Sequence, residues 1–74
     1  MRILSNGREV EVPTDDQGNA DVVEVRRAAN VPTDRAIIQQ RPTGESFVLP
    51  QHGQIKVNPY EHFIESPIAR RGKL

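Results

Sequence analysis

Residues 1–13 place two short apolar runs, Arg2-Ile3-Leu4 and Glu9-Val10-Glu11-Val12, on either side of Ser5-Asn6-Gly7-Arg8. The second run alternates strictly, with Val10 and Val12 on one face and Glu9 and Glu11 on the other. A period of two is that of a half-buried strand. Asn-Gly supplies the two positive-φ positions of a type I′ turn, so the pattern predicts an antiparallel hairpin ended by Pro13. A polar loop follows at residues 15–19.

The period then changes. Val22, Val25 and Ala29 recur at spacings of three and four, which makes one apolar stripe on a helix. Asp21 is placed to cap it, and Glu24, three residues on, completes a capping-box pattern. Arg26 and Arg27 fall in the last turn, where cations complement the helix dipole. Asn30 suits the C-terminal cap and Pro32 forbids continuation. Three β-branched valines lower the helix propensity, so a strand over residues 21–30, within an all-β barrel, is the competing expectation.

Beyond the helix the chain returns to short extended pieces. Residues 35–40 form a strand closed by Arg41-Pro42-Thr43-Gly44, and residues 46–49 are placed to pair back across that turn. Gln54-Ile55-Lys56-Val57 is a brief extended piece, broken by Asn58-Pro59, and the last strand lies within residues 60–68. Laying one helix across a small sheet buries every apolar face in this order. The predicted fold is α+β, of β-grasp order: N-terminal hairpin, one helix, and a mixed sheet of four to five strands. Val25 on the helix and Ile38 on the strand are expected in the shared core.

Composition narrows the chemistry. A chain of 74 residues holds one domain with a thin core, and without cysteine it has neither a disulfide nor a thiolate metal site. Ten acidic and ten basic side chains balance, giving no general attraction to nucleic acid or anionic lipid. No apolar run approaches the roughly 20 residues of a membrane helix, and a cytoplasmic protein is expected. His52 and His62 have no metal-ligating partner at helical spacing, and the acidic loop lacks the register of an EF-hand. Ser5, Ser46 and Ser66 lie in no nucleophile motif. No catalytic residue, metal or cofactor is expected.

Several of these features together resemble ubiquitin and its bacterial relatives. The immediate hairpin and helix are followed by Asn30-Val31-Pro32-Thr33-Asp34, similar to the family's post-helix isoleucine-proline-proline-aspartate stretch. The end, Ala69-Arg70-Arg71-Gly72, is similar to the basic, glycine-terminated tail of ubiquitin-like modifiers, and Phe63 ahead of Pro67 resembles such domains in bacterial conjugation-type operons. The resemblance implies a β-grasp domain over residues 1–68, a flexible basic tail over residues 69–74, and a modifier joined to target proteins through Gly72. It implies activating and conjugating enzymes as partners. Lys73 and Leu74 follow the glycine, so a processing peptidase must remove them to free the Gly72 carboxylate. Arg70 and Arg71 would steer the tail toward acidic surfaces, and Lys56 would be the one internal lysine for self-conjugation. The family's partner-binding isoleucine on the third strand aligns with Gln39. The other readings are a non-covalent β-grasp binding module docking through its sheet, and a sulfur carrier, which requires a free di-glycine end.

Overall fold

The computed structural model describes residues 1–67. The elements run β1 (Arg2–Ser5), β2 (Arg8–Glu11), β3 (Asn19–Asp21), α1 (Val22–Ala29), β4 (Arg35–Gln40), β5 (Ser46–Val48), β6 (Gln54–Lys56) and β7 (His62–Pro67). Five strands form one mixed sheet in the order β2-β1-β7-β4-β5, and β3 pairs with β6 in a small second sheet. The molecule is α+β, with the single helix packed on the larger sheet. β1 and β7 run parallel at its centre, and every other pairing is antiparallel.

The local signals act as the sequence predicts. Asn6 and Gly7 take φ of 52° and 85° in the β1–β2 turn. Asp21 caps α1 by accepting a hydrogen bond from the Val23 amide at 2.9 Å. Glu24 does not complete the reciprocal half of a capping box; its carboxylate accepts instead from Arg27 Nη1 at 2.9 Å. Asp21 is also the last residue of β3, opposite Gln54, so its backbone is already committed to a strand. Asn30 closes the helix in the left-handed conformation, φ 60°, with its amide directed at the carbonyls of Arg26 and Arg27. The polar loop is shorter than the sequence pattern implied, because Asn19 and Ala20 pair with Lys56 and Ile55.

The core lies between α1 and the inner face of the sheet: Ile3, Val12, Val22, Val25, Ile37 and Phe63 are all sealed from solvent. Val25 belongs to it as predicted. Ile38 does not. Ile37 is 1% exposed and faces the helix, so Ile38, one residue on, is turned to the opposite face and only half-buried.

Arg26 is also buried, at 8% exposure, and its Nη1 donates to the carbonyls of Pro32 at 2.6 Å and Arg35 at 2.7 Å. β5 pairs only with the second half of β4, from Ile38 to Gln40. The guanidinium thus serves, for the Arg35 carbonyl, the role that a neighbouring strand would have played.

Candidate functional site

The side-chain alternation that fills the core also composes the other face of the sheet. Ile3 and Ser5, Ile37 and Gln39, and Phe63 point inward and are buried. Leu4, Ile38 and Ile64 therefore point outward. The register sets them in a row: Ile38 lies opposite Ile64 on β7 and opposite Val48 on β5, while Leu4 on β1 lies beside His62. Val48 is 67% exposed. At its β1–β2 side the row is bounded by charges, with Arg2 paired to Glu9 at 3.2 Å and to Glu11 at 3.4 Å. The hydrogen bond that Arg2 donates to Glu9, with the nearby Glu11 charge, raises the Arg2 pKa above its usual value. Toward β4 and β5 the neighbours on this face are uncharged: Ala36, Gln40, Ser46 and Ser66.

At the end of the sheet where β7 finishes, the apolar row opens into a cleft of about 450 Å³. Ile38, Val48, Leu49 and Pro67 give it apolar walls, Gln51 and Ser66 give it polar groups, and Arg26 brings one cation to its lining. Pro67 is the last described residue, so the cleft borders the point from which the tail sequence leads on. An apolar face edged by a charged pair and ending in a cleft has the make-up of a protein-docking surface.

This corrects the expectation at position 39. Gln39 is 3% exposed and turned inward; the residue that β4 presents outward is Ile38. A shift of one residue along a strand exchanges the two faces. The sequence carried a sign of it in the doublets Ile37-Ile38 and Phe63-Ile64. Adjacent apolar residues in a strand cannot share a face, so one of each pair must point away from the core.

Gln39 has a structural task instead. Its Nε2 donates to the Lys56 carbonyl and to Glu61 Oε1, each at 2.9 Å. Glu61, itself 3% exposed, also accepts from the Asn58 amide at 3.0 Å, and its Oε2 lies 3.4 Å from Arg41 Nη1. The group fastens residues 56–61 to β4. It holds Tyr60 at a φ of 57°, a backbone conformation costing about 1–2 kcal/mol for a residue with a Cβ. Sequence periodicity gave no sign of this pair, because neither residue lies in an apolar pattern.

Lys56 is exposed on β6, opposite Asn19 in the small sheet. Arg70, Arg71 and Gly72 lie outside the described residues, as does the boundary expected at residue 68. Among the described residues no three side chains of His, Asp or Glu converge on a common metal position. No helix among them is long and apolar enough to cross a membrane.

Compared with family models, curated proteins and solved structures, the chain matches none. Its chemistry is read from its own residues. Among those described, the fold builds an apolar sheet face and a buried polar pair beyond its core, and a second cleft of about 450 Å³ lies beside that pair, between residues 40–42 and 58–62. The apolar face points outward. The polar pair is enclosed.

Proposed function

We propose that this chain is a ubiquitin-like protein modifier: a β-grasp domain with no catalysis of its own, joined to target proteins through Gly72 once Lys73 and Leu74 have been removed. The observation that carries the reading is the sheet order β2-β1-β7-β4-β5 with β1 and β7 parallel at its centre. In that order the last strand runs through the middle of the sheet and finishes beside the outward apolar face and its cleft. An enzyme that grips Ile38, Ile64 and Val48 would have the tail sequence within reach. The basic, glycine-containing motif Arg70-Arg71-Gly72 supports the same reading. Its partners would be activating and conjugating enzymes and a peptidase that cuts after Gly72. Lys56, exposed, would be available as an acceptor between copies.

The outward row Leu4, Ile38, Val48 and Ile64 favours a second reading, a non-covalent binding module, because that surface is built without the tail. One experiment separates the two. The full chain is recovered from its native host after affinity capture, and its intact mass and linkages are measured. A product shortened by two residues, and target peptides branched through Gly72, are the expected result; Gly72→Ala abolishes the linkages. An uncut chain without adducts, whose partners are still captured after deletion of residues 70–74, overturns the modifier reading and leaves the binding module.

A further inference from the structure

The two edges of the five-stranded sheet are built differently. β2 carries Arg8, Glu9 and Glu11, and two of these charges are occupied in ion pairs with β1. Charges along an edge discourage pairing with another strand. β5, Ser46-Phe47-Val48, has no charge at all, and all three residues are exposed, Phe47 at 46% and Val48 at 67%. Among the described residues no strand lies beyond it.

Its backbone is half used. The Leu49 amide donates to the Ile37 carbonyl at 2.9 Å, and the Arg41 amide donates to the Glu45 carbonyl at 2.8 Å. In an antiparallel ladder the residues that bond to one neighbour alternate with those that face the other way. Residues 45, 47 and 49 therefore turn their polar backbone groups toward β4. Ser46 and Val48 turn theirs to the open edge, where they present two amides and two carbonyls.

We propose that β5 is a self-association edge, and that its occupant is the β5 strand of a second copy of this chain, paired antiparallel about a two-fold axis at Phe47. In that register Ser46 lies opposite Val48 of the partner copy, and the reverse pair is generated by symmetry. The four outward amides and four outward carbonyls of Ser46 and Val48 in the two strands then find partners, through four hydrogen bonds between the copies. Phe47 meets its own symmetry mate in the closer, non-hydrogen-bonded type of pair. Its ring has Arg41 at 5.8 Å and stays about half exposed.

Two further features are consistent with a second copy in that register. The chain has a formal net charge of zero, so two copies meet without net repulsion. The charged β2 edge prevents β5 from continuing onto the far side of another molecule, so the contact closes as an isologous dimer and does not extend into a filament. The dimer would join the two outward apolar faces into one surface. A three-residue edge buries less than the roughly 800 Å² per partner of a standard interface, so half-association is set on the order of 0.1–1 mM.

Sedimentation equilibrium of the full chain from 20 µM to 2 mM tests this, with amide chemical shifts recorded across the same series. The expected result is a mass rising from 8.3 kDa toward twice that value, with shifts concentrated at residues 45–49. Val48→Pro removes an outward amide that β4 does not use, and Phe47→Lys sets two ammonium groups against each other at the axis. Each variant, shown folded by its amide spectrum, should weaken association at least tenfold; should Val48→Pro fail to fold, Phe47→Lys alone decides. A monomer at 2 mM overturns the proposal. So does a dimer that survives both substitutions, or an edge engaged by a peptide or by the chain's own tail in place of a second copy.

Discussion

Neighbouring isoleucines on β4 offer the most direct check of strand register. Ile37→Ala removes about three carbons from a side chain that is 1% exposed, packed with Ile3, Val25 and Phe63. At about 0.8 kcal/mol per buried carbon the transfer loss is ~2.4 kcal/mol. The cavity left behind raises the total to about 3–4 kcal/mol. Ile38→Ala removes the same atoms from the outer face, where the side chain is only partly covered and solvent fills the gap. About 1 kcal/mol is expected there. A domain of this length has roughly 4–11 kcal/mol of stability in all, so the first substitution consumes a large part of it and the second does not. At about 4–8 °C per kcal/mol, the midpoint falls by about 12–30 °C for Ile37→Ala and by less than about 8 °C for Ile38→Ala. The chain has no tryptophan, so urea and thermal unfolding are followed by far-UV circular dichroism. Equal costs, or a larger cost at Ile38, would mean that β4 is inverted and that the outward apolar row does not exist.

Two other outcomes follow from the polar groups. Gln39→Ala removes the donor to both the Lys56 carbonyl and Glu61 Oε1, leaving a buried carboxylate under-bonded; a loss of about 1–3 kcal/mol is expected in urea unfolding, and a loss below about 0.5 kcal/mol would refute the network. Asp15 accepts from the backbone and side chain of Asn19 and from the Gln17 amide, and these bonds, the Asn19 backbone bond foremost, hold its pKa below the ordinary carboxylate value. Because the folded value is the lower one, its contribution to stability is present above about pH 4 and is lost as the pH falls through the folded pKa. Carbon-detected NMR titration of the carboxyl should place Asp15 below about 3.9, and a value at or above that would remove the turn from the account.

Much of the architecture was legible because it rests on local chemistry. Asn6-Gly7, the Asp21 cap and the Asn30-Val31-Pro32 stop each act within a few residues, and each sits where its type predicts. Residues 35–40 were recognisable as a strand from composition and flanking turn residues. Which face they presented was not. Ile37 and Ile38 are chemically equivalent, and only the position of α1 decides which of them is covered. The small sheet was half visible: the extended character of residues 54–56 is local, but their partners at Asn19 to Asp21 are more than thirty positions away in the chain. The Gln39–Glu61 pair was invisible for the same reason, since burial of a carboxylate depends on donors brought from distant segments. The outward row was within reach from the doublets alone, had each been read as a strand with two apolar faces.

Arg26 has a consequence for motion. Its guanidinium spans from the helix to the carbonyls of Pro32 and Arg35, so α1 and the first half of β4 are joined by hydrogen bonds as well as by packing. Opening either segment alone would strand a buried cation or leave the Arg35 carbonyl without the donor it takes from Arg26. The helix and this strand therefore open as one unit, and their amides should exchange with solvent at a common free energy. The uncovered edge at β5 has no such tether. The molecule is in this sense divided into a fastened half, which keeps the fold, and a looser margin, which is free to meet another chain.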